Sequence, residues 1–297
     1  MVDAPKGACA GAVAALALAF VPSCSAPLHF DVDPASAQEQ AVVPLILERN
    51  RPLLAAEIDG HAVTLLLDLG ADVTIGLHPA SADAVGANFT GSTKSVSDAF
   101  GNVTSSRRYV LTICKLGSLE LRDVEGWEQT GDFSDDQHHV DGIVGWRLLE
   151  KFGVLIDFPR QELRLVPPGA LHEEFGLPGW LPFPIEPTAD GLSAAVTIEA
   201  RPMHLILDTG ATWSVLKAGR APEDRLTDRN GVGFFRALSV TAGAAELGPL
   251  DFAVLDLAYP EGDGILGFNF FMARAVWIDW PAGRAAIDVM TPTRIRG

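Results

Sequence analysis

The chain has 297 residues, of which 48% are hydrophobic and 20% charged, with 29 glycines and 20 prolines spread along it. This is a globular composition with room for about two domains and many turns. The formal net charge of −16 repels nucleic acid and anionic membrane surfaces and attracts basic peptides, and the absence of a basic cluster or basic–aromatic stripe argues against nucleic-acid binding.

In chain order, residues 1–26 read as a signal peptide or lipoprotein leader. Lys6 precedes an apolar heart at Ala8–Val21, too short to span a bilayer comfortably but suited to a secretory signal. Val21-Pro22-Ser23-Cys24 resembles a lipoprotein box that would make Cys24 a lipid anchor, while cleavage after Ala26 competes. Either outcome implies an exported protein, periplasmic or membrane-anchored. No later segment is long and apolar enough to cross a membrane. Residues 27–40 read as a linker. Cys9 and Cys24 belong to the leader, so Cys114 stands alone in the remainder, without a disulfide partner or a zinc-spaced cluster. It lies in a β-branched run and reads as a core thiol.

From residue 41 the pattern is β. Short strands are expected at Ala55–Ile58, Val63–Leu67, Arg108–Ile113, Leu119–Leu121, Val154–Asp157 and Leu163–Val166, then at Ala195–Ile198, His204–Leu207, Arg236–Thr241, Phe252–Leu255, Ala275–Asp279 and Ala285–Val289. Helices should be few, with short ones at Arg147–Phe152 and Asn269–Ala273. The proline-rich stretch 168–182 reads as a linker between an N-terminal lobe, 41–167, and a C-terminal lobe, 183–292.

The two lobes repeat one pattern. Leu65-Leu66-Leu67-Asp68-Leu69-Gly70-Ala71 aligns with Leu205-Ile206-Leu207-Asp208-Thr209-Gly210-Ala211 at an offset of 140 residues. Asp141-Gly142-Ile143-Val144-Gly145 aligns with Asp263-Gly264-Ile265-Leu266-Gly267 at an offset of 122, so the first half holds 18 more residues between its blocks. A carboxylate placed directly after an apolar strand should sit in a low-dielectric place where its charged form is disfavoured. Gly70 and Gly210 are expected to supply backbone freedom for a sharp turn.

Paired Asp-x-Gly-Ala turns, each followed downstream by Gly-Ile-Val-Gly or Gly-Ile-Leu-Gly, resemble the pepsin and retropepsin families of aspartic peptidases over roughly residues 41–290. The resemblance implies a mainly all-β, acid-protease-like fold of two closed β-barrel lobes related by a pseudo-twofold axis. It further implies Asp68 and Asp208 as a catalytic dyad sharing one proton, supported by Gly70, Ala71, Thr209, Gly210 and Ala211. The substrate would be a peptide or protein, with no cofactor and no metal. Two motifs in one chain make a monomer sufficient. A noncatalytic peptide-binding module on the same scaffold is the alternative.

Three departures from the family pattern matter. Ala71 and Ala211 stand where acid-adapted members carry a hydroxyl that lowers the carboxylate pKa, which moves the expected optimum to about pH 5–7. Leu69 replaces a residue whose hydroxyl grips the opposite lobe; Thr209 retains that hydroxyl. The family's flap tyrosine has no counterpart, since Tyr109 lies past the hairpin tip. Phe100 and Gly101 of the first hairpin, with Asn230 and Gly231 of the second, are the expected flap residues. The run Asp132–His139 lacks metal-ligand spacing and reads as a solvated loop.

Overall fold

A computed structural model describes residues 28–33, 40–131, 134, 139–167, 180–188, 191–258, 262–280 and 283–288. The expected leader with Cys24, most of the 168–182 linker and most of the Asp132–His139 run lie outside the described residues. No helix among the described residues is long and apolar enough to cross a membrane.

The first lobe contains β1 (Asp31–Val32), β2 (Ala41–Glu48), β3 (Arg51–Ile58), β4 (His61–Asp68), β5 (Ile75–Leu77), α1 (Pro79–Ala84), β6 (Asn88–Ser97), β7 (Val103–Leu116), β8 (Leu119–Trp127), β9 (Gly142–Gly145), α2 (Trp146–Leu149), β10 (Gly153–Asp157) and β11 (Glu162–Val166). The second contains β12 (Trp180–Thr188), β13 (Gly191–Ile198), β14 (Arg201–Leu207), β15 (Ser214–Lys217), β16 (Thr227–Arg229), β17 (Val232–Ala237), β18 (Val240–Ala242), β19 (Ala245–Glu246), β20 (Leu250–Leu255), β21 (Gly264–Leu266), α3 (Phe268–Phe271), β22 (Ala275–Asp279) and β23 (Arg284–Asp288). The chain is mostly β with short helices, as its alternating apolar runs predict.

Both lobes use one pairing scheme. β4 runs parallel to β9 and β14 runs parallel to β21, while β5 and β15 pair antiparallel with those same strands. Each Asp-bearing strand is therefore held laterally by the Gly-Ile-Val/Leu-Gly strand of its own lobe. Between the lobes lies an antiparallel sheet in the order β2-β11-β10-β22-β23-β12. At its centre Val154 faces Ile278 and Ile156 faces Val276. Those four residues are equivalent in the two repeats, so the central pair sits on a local twofold. One continuous apolar cluster joins residues of both lobes, including Leu67, Leu69, Ile156, Leu207 and Ile278.

Several expectations are corrected. The 27–40 linker includes β1, which pairs with β8, and the buried Phe30. Trp180–Pro182, read as linker, belongs to β12 and pairs with β23. The run Arg236–Thr241 is split between β17 and β18, because β17 turns to pair with β20 whereas β18 pairs with β13. The extended β6–β7 hairpin has no clear sequence signal because β6 is polar on nearly every residue. Cys114 is fully buried and its thiol is pushed up to about 12 by burial.

Candidate active site

Asp68 ends β4 and Asp208 immediately follows β14, each after a run of buried leucine or isoleucine. Apolar burial drives those strands into the core, and the strand ends carry the two carboxylates with them. Both aspartates have 0% exposure.

Backbone N–H groups of the turns hold one oxygen of each carboxylate. Gly70 N donates to Asp68 Oδ1 at 2.8 Å and Ala211 N donates to Asp208 Oδ1 at 2.9 Å. Oδ2 of each aspartate has no hydrogen-bond partner among the described residues, and the two carboxyls act on each other across the lobe boundary. Two acceptor-only groups in contact are satisfied by one shared proton, and proton sharing of this kind is the established behaviour of aspartic protease dyads. Burial pushes both carboxyls up. Asp68 rises furthest because the charge of Asp208 adds to burial, while backbone donors and the Asp68 side chain limit Asp208 to about 6. The pair titrates as a unit.

Gly70 and Gly210 serve a different purpose from the one expected. Neither has a left-handed backbone. A Cβ at Gly70 would lie 2.7 Å from Asp208 Cγ, and one at Gly210 would lie 2.7 Å from Asp68 Cγ. Each glycine makes room for the carboxylate of the opposite lobe.

Thr209 ties the lobes together. Its hydroxyl accepts from Leu69 N at 3.0 Å and donates to Leu67 O at 2.6 Å, both across the lobe boundary. Leu69 has no hydroxyl with which to reciprocate and instead packs, fully buried, in the main core. Ala71 and Ala211 are also fully buried, and their carbonyls accept from Trp146 N and Phe268 N at the starts of α2 and α3.

The β6–β7 hairpin lies over both turns. Val96 packs with Ala71 and Val73 of the first lobe. At the tip, Ala99 packs with Ala211 and Leu257 of the second lobe, and Ala258 N donates to Ala99 O at 2.9 Å. Asp98 organises this tip, its Oδ1 accepting from Phe100 N and Asn102 N. This geometry corrects two flap assignments. Phe100 is 47% exposed and Ala99 is the inward residue, so Phe100 is not the lid's contact with the site. Asn230 and Gly231 form an exposed two-residue turn with φ of 58° and 83°. Gly231 N bonds back to Asp228 within that turn, and β17 is pinned to β20 beyond a short β16, which commits the second hairpin to its own sheet rather than to the dyad.

Sequence reasoning missed two braces. The Tyr109 hydroxyl, fully buried, donates to Ile75 O at 2.9 Å and accepts from Leu77 N at 2.7 Å, fixing β5 beside the first turn. Asn269 Oδ1 accepts from Ser214 N at 2.6 Å and Ser214 Oγ at 2.8 Å, fixing β15 against α3. A buried tyrosine needs a polar partner, but no sequence signal identifies which backbone groups supply it.

Residues 54–148 match the aspartyl protease family. Among solved structures, the chain resembles the aspartic proteinase from Irpex lacteus with a TM-score of 0.62 at 15% identity, covering 86% of this chain and 99% of that one. The basic 7S globulin from soybean is also similar, with a TM-score of 0.49 at 9% identity, covering 84% and 95% respectively. Comparison with curated proteins gives no match. The family match spans the first Asp-x-Gly-Ala turn, and the chain as a whole has the fold of an aspartic proteinase.

Proposed function

We propose that the protein is an aspartic endopeptidase that hydrolyses peptide bonds with a water molecule activated by Asp68 and Asp208. The observation that carries this reading is the contact between two fully buried carboxylates from opposite lobes, each with one oxygen unclaimed by the surrounding protein. Asp208, held ionised by two backbone donors, takes a proton from the attacking water. Asp68, protonated, donates to the scissile carbonyl oxygen. Substrate enters when the hairpin lifts and the Ala99–Ala258 bond opens, since both aspartates are closed to solvent beneath it.

A second reading, a peptide-binding module without turnover, draws on Leu69, which leaves the cross-lobe grip one-sided. Asp68→Asn and Asp208→Asn, assayed separately on a varied peptide library with pepstatin as inhibitor, separate the two. The peptidase reading expects each variant to lose at least about 10²-fold in rate. Unmutated protein that binds pepstatin or peptides and cleaves none supports the module.

A further inference from the structure

On the dyad side of the second lobe, one row of paired residues crosses the sheet. Ser193 faces Ile206, Ile206 faces Ile265, Ile265 faces Val215, Val215 faces Ala253 and Ala253 faces Phe234. Strand side chains alternate between faces, and Leu205 and Leu207 enter the main core. The row therefore shares its face with Asp208, two residues beyond Ile206. The lid covers this face, because Ala99 at its tip packs with Val215, Phe234, Ala253 and Ile265. Ser193 is the polar member of an otherwise apolar row. It is 1% exposed, and its hydroxyl has no hydrogen-bond partner among the described residues. The first lobe carries Leu53 at the equivalent place, paired with Leu66 as Ser193 is with Ile206, and packed with Val96 of the lid. Between Ser193 and the dyad on this face stands Gly191, which has no side chain to screen the hydroxyl; a Cβ there would lie 3.1 Å from Ile206 Cγ2.

We propose that Ser193 sets specificity on the second lobe's side of the cleft by bonding a neutral polar side chain of the substrate, one that carries a hydroxyl or a carboxamide. This rests on the peptidase reading for its place in a cleft. A buried hydroxyl without a partner is unfavourable, and a group that reaches it relieves that cost. With the lid lifted, a substrate side chain entering beside Asp208 meets Ile206 as an apolar wall and the Ser193 hydroxyl as both donor and acceptor. A purely apolar side chain leaves that hydroxyl unpaired. A charged one is disfavoured, since the rest of the row offers no counter-charge. Threonine and valine are nearly the same shape, so exchanging one for the other isolates the bond.

The test uses calorimetry on full-length protein carrying Asp208→Asn, so that binding is read without cleavage. The probes are a fixed octapeptide set in which each position is in turn Thr or Val. At one position Thr binds about tenfold more tightly than Val, the order expected of one buried hydrogen bond. Adding Ser193→Ala abolishes or reverses that preference, because the row is then apolar throughout. Thermal melting gives a second readout: Ser193→Ala alone melts no lower than unmutated protein, since the hydroxyl it removes bonds nothing within the chain. Equal affinity for Thr and Val at every position, a preference that survives Ser193→Ala, or failure of every peptide to bind overturns the inference. So does a fall in melting temperature in Ser193→Ala, or an equal loss of affinity for every peptide in that variant. If the preference appears but protein with both aspartates cleaves none of these peptides, the peptidase reading fails and the Ser193 assignment stands.

Discussion

The cross-lobe grip rests on one hydroxyl, and its removal has a calculable cost. Thr209→Val keeps the shape of the side chain but leaves Leu69 N without its acceptor and Leu67 O without its donor, at a place where residues 67, 69 and 209 all have 0% exposure. An unsatisfied buried backbone group costs about 1–3 kcal/mol, so the pair costs about 2–6 kcal/mol. Leu69 offers no return bond to soften the loss. Denaturant unfolding and thermal melting of purified Thr209→Val should register this, with a fall in melting temperature of roughly 5 °C or more. Thr209→Ser, which retains the hydroxyl, should recover most of the stability. Thr227→Val, on the exposed β16, should stay within about 0.5 kcal/mol. A Thr209→Val cost no larger than that of Thr227→Val would refute the argument that this hydroxyl joins the lobes.

Both dyad carboxyls are raised on folding, so the native state holds protons that the unfolded chain has released. Their stabilisation is present below the unfolded pKa of about 3.9 and is lost as pH rises through the folded value, about 6 for Asp208, a change of roughly 3 kcal/mol. Unfolding curves between pH 4 and 7.5 should show this decline in the unmutated protein and a flatter one in Asp208→Asn; equal slopes would contradict the assignment. Gly70→Ala should cost at least about 10²-fold in peptidase rate, because its Cβ would lie 2.7 Å from Asp208 Cγ and displace that carboxylate; full activity in that variant would count against the packed dyad. Ala258→Pro removes the N–H bonded to Ala99 O, and hydrogen exchange at the β6–β7 tip should speed up while exchange in β10 and β22 stays unchanged. Tyr109→Phe strips the partners from Ile75 O and Leu77 N and should cost about 2–6 kcal/mol in denaturant unfolding.

The sequence carried more of this protein than its weak local signals suggest, and the reason is repetition. Two runs of apolar residues ending in Asp-x-Gly-Ala, each with its own Gly-Ile-Val/Leu-Gly strand, announced the β class, the short helices after those strands and the two aspartates, since strand periodicity and turn residues are local properties. Neighbours distant in sequence left no such trace. The glycines looked like turn residues, yet their task is to admit the carboxylate of a turn 140 residues away. Phe100 looked like the lid's contact because it is the aromatic one, yet Asp98 shapes the tip so that Ala99 faces inward. The sequence by itself placed two aspartates at the ends of repeated apolar strands. Only the tertiary structure decided which oxygen meets which donor and that Thr209 grips for both lobes, because each depends on how two sheets and a hairpin bring separate stretches of chain within a few ångströms.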